Sequence, residues 1–351
     1  MNFKGLVLIF FTIFLSISCS QENDSSNKVS WSISEGVEYP EGGKLSRAED
    51  GVILADGTLI VADQRHGLSV IDQSGNVTPF GDFEALGYEH NPPKIESGPN
   101  GVHLTPDKQH VITADVFNGK IYKTSIENNS TEIIYAHNYG ANTAREDSTG
   151  SLWFTQSTEN QNEERLFGAL DKAIPDGALY RLSFSEDGFA SKPELVIDNL
   201  YFANGFYIDE GKNKLYLSEM MKNRVLVFDI DVSTGSLSNQ TTLAIMPTPD
   251  NMELNSEGDL WVASPLSNQI LSIDVESGAV TVVFDAQTDI GFESMKTGIE
   301  RIENGEGFAD LLSPELTGDM PGLLTGMILG DESQPFYVAN LGTALIQVAK
   351  K

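Results

Sequence analysis

The chain has 351 residues, with 51 Asp and Glu against 22 Lys and Arg and a formal net charge of −29 at pH 7. That balance excludes a nucleic-acid partner, because phosphate binding needs a basic footprint, and it disfavours adsorption to an anionic membrane surface. The length would ordinarily suggest two or three domains, but a chain built of repeats can exceed it as one unit.

Lys4 followed by GLVLIFFTIFLSIS gives residues 1–18 the short cationic start and apolar core of a secretory signal. The run is too short and too poorly flanked for a transmembrane helix. Cys19 is the only cysteine, so no intrachain disulfide forms, and its place after Ser18 is similar to a bacterial lipobox, with Leu15 one position early and Ser16 in its stead. Lipidation at Cys19 is the expectation, with ordinary cleavage nearby or an uncleaved anchor as the alternatives. Residues 19–28 then read as a polar tether. The protein is expected to be exported to a bacterial cell envelope, periplasmic or surface-displayed, touching the membrane through its N-terminal lipid alone.

From Glu49 a phrase recurs: a turn with Asn or Asp, a hydrophobic strand, a glycine-containing turn and a second strand. Its copies are EDGVILADGTLIVAD from Glu49, PNGVHLTPDKQHVITAD from Pro99, ANTAREDSTGSLWFTQS from Ala141, ANGFYIDEGKNKLYLSE from Ala203, PDNMELNSEGDLWVASP from Pro249 and, degraded, LTGMILGDESQPFYVAN from Leu324. A third strand follows each copy, as at GLSVID from Gly67, RVLVFDI from Arg224 and ALIQVA from Ala344, and a fourth follows most of them, as at Asn76–Phe80 and Thr241–Ile245. Repeats of this period with four strands each predict an all-β, six-bladed β-propeller over residues 29–351. The last copy ends without room for an outer strand, so the stretch Val29–Leu45 is predicted to complete the sixth blade and close the ring.

Two intervals between copies are longer than the rest and hold insertions, Glu159–Pro175 and Thr288–Pro321. Insertions in repeat folds collect on one face, often the binding face. Both are candidate lids.

The polar residues entering the innermost strands are Asp50 with its neighbour Glu49, Asn100, Asn142, Asn204, Asp250 with its neighbour Asn251, and Thr325. Equivalent blades would place them around one axis. Carboxylates and amide oxygens without Cys or His suit a hard cation taking about six to eight oxygens, and suit zinc or copper poorly. Two carboxylates, Glu49 and Asp250, would nearly neutralise a divalent ion. Of the histidines, His103 alone lies in an inner strand near this ring, and Arg145 is near enough to meet an anionic substrate; a strand histidine and a surface ion pair are the alternative readings.

LYFANGFYID with KLYLSE, and PDNMEL with GDLWVAS, resemble the fourth and fifth blade signatures of the senescence-marker-protein, gluconolactonase and LRE-like family, within the calcium-dependent propeller superfamily that also holds paraoxonases and strictosidine-synthase-like proteins. Glu49-Asp50 followed by GVILADGTLIVAD is similar to the first blade of paraoxonases. The resemblance covers roughly Lys44 to Ile273. It implies calcium at the channel mouth held by Glu49, Asn142, Asn204 and Asp250, with Asn251 added, and Asp250 as candidate general base for hydrolysis of a small lactone or ester. Asn100 stands where paraoxonases keep a histidine, and Thr143 where they keep an Asp for a second calcium, so one ion is expected. Asn100, His103 and Arg145 are the candidate substrate contacts. A non-enzymatic propeller binding a metal or small ligand as an envelope scaffold, and a strictosidine-synthase-like activity, are the other readings.

Overall fold

The computed structural model describes residues 30–350, apart from 92–93, 96, 161–165, 186–189 and 332–333. The signal segment 1–18, Cys19 and the tether 19–28 lie outside the described residues, as does Val29.

Six sheets follow one another around an axis, each built of four antiparallel blade strands. In blade one these are Gly51–Ile53, Leu59–Asp63, Gly67–Ile71 and Val77–Phe80, and blade two runs from Pro99–Leu104 to Thr131–Ala136. Blade three spans Ala144–Glu146 to Glu194–Leu200, blade four Ala203–Asp209 to Ser236–Ile245, and blade five Met252–Leu254 to Val280–Asp285. Blade six takes Leu324–Ile328, Phe336–Asn340 and Leu345–Val348 from the C-terminal end, and its outer strand, Gly36–Tyr39, from the N-terminal end. The predicted closure is therefore present. It has a second part: Trp31–Ser32 pairs in parallel with Phe284 and Asp285 at the outer edge of blade five, where Trp31 packs on Trp261 and Phe336.

The second strand of each blade is almost entirely buried. Leu59–Asp63, Leu152–Gln156, Leu260–Ser264 and Phe336–Asn340 are buried at every residue. Side chains of alternating strand residues fill the spaces between neighbouring blades, as with Val61, Ile328 and Ala339 between blades one and six. Each such aliphatic side chain contributes about 1.5–3 kcal/mol on burial. Trp153 is fully buried and donates its indole N–H to Asp147 at 2.8 Å.

Glycine lets the innermost strands crowd the axis. A Cβ on Gly101 would lie 2.9 Å from the Thr143 Cα, and one on Gly205 2.7 Å from the Asn251 Cα. Backbone meets backbone there, so no larger residue fits.

The two insertions lie together. Thr288 caps a helix, Asp289–Glu303, by accepting the Gly291 N–H at 2.9 Å. Gly298 turns toward Leu266, whose Cδ2 would lie 2.2 Å from a Cβ there. The chain after the helix reaches the first insertion, where Phe308 donates its N–H to the Leu170 carbonyl at 2.8 Å. Leu166, Ala169 and Leu170 then form one apolar cluster with Phe202, Met220, Ile302, Phe308 and Leu316. Among the described residues no helix is long and apolar enough to cross a membrane.

Candidate functional site

Strand pairing fixes which residues are equivalent. Gly51, Val102, Ala144, Phe206, Met252 and Met327 each sit opposite the same position of their blade's second strand. Two residues earlier stand Glu49, Asn100, Asn142, Asn204, Asp250 and Thr325, all buried. The register thus puts Glu49, rather than Asp50, in the ring. Hydroxyls on second strands hold the anchors of the next blade: Thr155 donates to the Asn204 carbonyl at 2.8 Å and Ser218 to the Asp250 carbonyl at 2.7 Å.

All six ring residues line one pocket, of about 520 Å³ with open solvent at its mouth included. That is a small-ligand size. Apart from one arginine, the rest of the wall is apolar among the described residues, with Leu166, Phe167 and Leu170 from the first insertion, Phe308 and Leu312 from the second, and Phe202, Met220, Pro265, Leu323 and Leu341 from blade loops. The expected lids therefore form the roof of the ring.

One more polar residue lines the pocket, and the sequence reading missed it. Arg47 stands in left-handed backbone at φ 54°, donates to the Pro99 carbonyl at 2.9 Å and to Asn100 Oδ1 at 3.0 Å, and lies over the Phe117 ring at 5.2 Å.

Within the ring the hydrogen bonds are incomplete. Glu49 Oε1 accepts from Asn251 Nδ2 at 3.0 Å, but Oε2 is buried without a partner, and so is Asn204 Oδ1. Asn142 Oδ1 accepts from Thr143 at 3.1 Å and from Asn100 at 3.3 Å. Burial pushes the Glu49 carboxyl up to about 8, with Arg47 opposing and Asp250 adding to the rise. Burial likewise lifts Asp250 well above the ordinary carboxylate range, against Arg47 and Asn204. Neighbouring buried carboxylates disfavour each other's ionised forms. Asp50, one residue deeper, is raised by burial and by Glu49.

These residues fit a hard divalent cation. Two carboxylates and two amides converge on one pocket, and two of their oxygens, Glu49 Oε2 and Asn204 Oδ1, are buried without hydrogen bonds, a state that costs about 1–3 kcal/mol per group. Among the described residues no three His, Cys, Asp or Glu side chains gather around one metal position. A cation here would take its remaining oxygens from amides and solvent.

The other predicted contacts lie deeper. Asn251 occupies the layer of Asp50 and Thr143, where its Oδ1 accepts from Thr143 at 3.3 Å. His103 and Arg145 are each three residues beyond a ring asparagine, and at about 3.3 Å per strand residue that carries them away from the mouth. Their equivalents in blades four and five are Tyr207 and Glu253. The four form one network: Arg145 pairs with Glu253 and lies 5.0 Å from the Tyr207 ring centre, and His103 Nδ1 is 3.4 Å from Glu253 Oε1. Burial pushes His103 down to about 4, with Arg145 adding to it. Burial alone would raise Glu253, but Arg145 and His103 hold it at about 2. Neither His103 nor Arg145 lines the pocket, because each side chain is engaged in this second layer.

Fold and site together define a six-bladed β-propeller with an acidic and amide ring at one mouth of its channel. Residues 134–290 match the family model described as SMP-30/Gluconolactonase/LRE-like region, so over that stretch the resemblance drawn from the blade motifs is borne out. Asn142, Asn204 and Asp250 fall within the match, and Glu49 and Asn100 precede it. Regucalcin of Danio rerio is 33% identical over 113 residues, which is 30% of this chain and 35% of the relative. The cell growth-regulated gene 1 protein of Candida albicans is 22% identical over 137 residues, 36% of this chain and 39% of its own. The chain thus spans about two fifths or less of the length of these curated relatives. Among solved structures, regucalcin of Agrobacterium tumefaciens, described as a calcium-binding protein, superposes with a TM-score of 0.59 at 12% identity, covering 91% of this chain and 95% of that one. A gluconolactonase of Xanthomonas campestris gives 0.58 at 15%, covering 88% and 87%. At these identities the structures establish the propeller fold.

Proposed function

We propose that the protein is a calcium-supported hydrolase of a small lactone or ester. The observation that carries this reading is the pair of buried oxygens without partners, Glu49 Oε2 and Asn204 Oδ1, beside Asp250 at the floor of an apolar pocket. Glu49, Asn142, Asn204 and Asp250 would hold the ion. When bound, calcium supplies Lewis acidity toward a carbonyl oxygen. Asp250, as a carboxylate, would take a proton from a water as that water adds to the carbonyl carbon. The apolar roof would exclude bulk water and strengthen these charges. Naming of a lactonase among the structural relatives and of calcium among the regucalcins supports the reading.

The wall also bears on the substrate. A polyhydroxylated lactone would set its hydroxyls against Leu166, Phe167, Leu170, Phe308 and Leu312, and each one left without a partner costs about 1–3 kcal/mol. An aliphatic or aryl side group gains from the same wall. The substrate is therefore an apolar-bodied lactone or ester in preference to an aldonolactone.

The test is a panel of alkyl-substituted lactones, an aldonolactone and phenyl acetate, assayed on wild type and Asp250→Asn with and without a chelator. Expected is calcium-dependent turnover that favours the alkyl lactones and falls about 10²–10⁴-fold in the variant. Turnover equal in both proteins removes Asp250 from the reaction; bound calcium without turnover on any substrate leaves the binding-protein reading in its place.

A further inference from the structure

Among the described residues Arg47 is the one cationic side chain lining the pocket, and no blade repeat calls for it. Its place is built. The backbone adopts a left-handed φ of 54°, which residues with a Cβ adopt at an energetic penalty. The guanidinium is fixed on two sides by the Pro99 carbonyl at 2.9 Å and Asn100 Oδ1 at 3.0 Å, and on its face by Phe117 at 5.2 Å. Those hydrogen bonds go to neutral acceptors, so the positive charge is not consumed by a paired anion. It acts through space on Glu49 and Asp250, and on Asp115, whose carboxylate is already held by the N–H groups of Gly98, Phe117 and Asn118.

We infer that Arg47 is a tethered counter-cation of the ring that sets how weakly the site binds calcium. This rests on the calcium reading above. Once ionised, as ligation of a cation requires, the two carboxylates alone present a charge of −2; with the guanidinium the same pocket presents −1. Calcium affinity follows the charge of the ligand set, and a partly buried, fixed cation is screened by salt less than an exposed one. The arginine thus does two things with one charge. It stabilises the ring carboxylates when no metal is bound, and it opposes the metal when one arrives, placing the site near the weak end of calcium proteins, on the order of 10⁻⁴–10⁻³ M. Asn100 is then a positioning residue that spans the two parts: it accepts from Arg47 through Oδ1 and donates to Asn142 through Nδ2.

The experiment is calorimetric titration of the full chain with calcium chloride, for wild type, Arg47→Gln and Arg47→Lys, with thermal melting as a check on folding. Arg47→Gln should bind calcium about tenfold or more tightly than wild type, and Arg47→Lys, which keeps the charge, should stay within about threefold of wild type. A glutamine variant that binds when wild type does not reach saturation supports the proposal equally. Wild type and Arg47→Gln binding with the same affinity, or the variant binding more weakly, overturns it while leaving the calcium site standing. If neither protein binds calcium at 20-fold excess, both this inference and the calcium reading fall.

Discussion

Asn251 of blade five donates its Nδ2 hydrogen to Oε1 of Glu49 in blade one at 3.0 Å, across 202 positions of sequence. Its own Oδ1 is held by Thr143 of blade three at 3.3 Å, so one amide braces three blades at the floor of the pocket. Asn251→Ala would leave a second oxygen of Glu49 buried without a donor. Calcium affinity should fall about 10–100-fold, the usual effect of removing a partner behind a metal ligand, and stability by about 1–3 kcal/mol. Calorimetry and urea unfolding measure the two effects; an unchanged affinity would show that the brace has no part in the site.

The crowding of the inner strands makes a sharper test of packing. In Gly205→Ala the new methyl would sit 2.7 Å from the Asn251 Cα and 2.9 Å from the Asp250 carbonyl oxygen, and neither can rotate away. Destabilisation of at least about 1–3 kcal/mol is expected, with weakened calcium binding because Asp250 and Asn251 must shift. Gly168→Ala, with nothing within 4 Å, is the control and should leave the melting temperature within error.

Leu312 tests the roof apart from the floor. It lines the pocket but is only partly buried, so Leu312→Ser removes apolar surface without opening a deep cavity. KM for an alkyl lactone should rise by about tenfold, within the range for loss of a small apolar contact, while kcat and calcium affinity stay near wild type. A fall in kcat with unchanged KM would place Leu312 in the reacting geometry instead.

What the sequence made legible was what repeats. Alternating apolar residues and recurring Asn or Asp before the inner strands are local signals, and they located the blades, the closure by the N-terminal strand and the ring residues. The remainder depends on register. That Glu49 and not Asp50 aligns with Asn142 follows from Gly51 pairing Val61 as Ala144 pairs Phe154, which no single copy reveals. The same register unites His103, Arg145, Tyr207 and Glu253, four unlike residues whose shared level in the channel has no sequence signature. Arg47 escaped because it precedes the repeated phrase and takes a backbone conformation usual for glycine. The helix Asp289–Glu303 escaped for the opposite reason. Its Gly291 and Gly298 read as breakers, and the use of Gly298 is clear only against Leu266.

His137 supplies a pH test remote from the ring. It packs among Tyr135, Phe154 and Tyr180 and shares a 2.8 Å hydrogen bond with Gln156. Burial lowers its pKa below the ordinary 6.5, with the Gln156 bond opposing. Between the folded value and about 6.5 the unfolded chain therefore binds the proton and the native protein does not, so stability rises with pH across that window. The contribution is fully present above about 6.5 and is lost as pH falls toward the folded value. Other buried groups titrate nearby, Glu49 with the opposite sign, so the quantity to measure is the difference between wild type and His137→Phe. Unfolding free energies from urea titrations should differ by a constant above about pH 7, and that difference should shift in favour of the variant as the solution is acidified toward pH 5. Parallel profiles over the whole range would mean that His137 takes up its proton in place, without strain on the blade-three aromatic cluster.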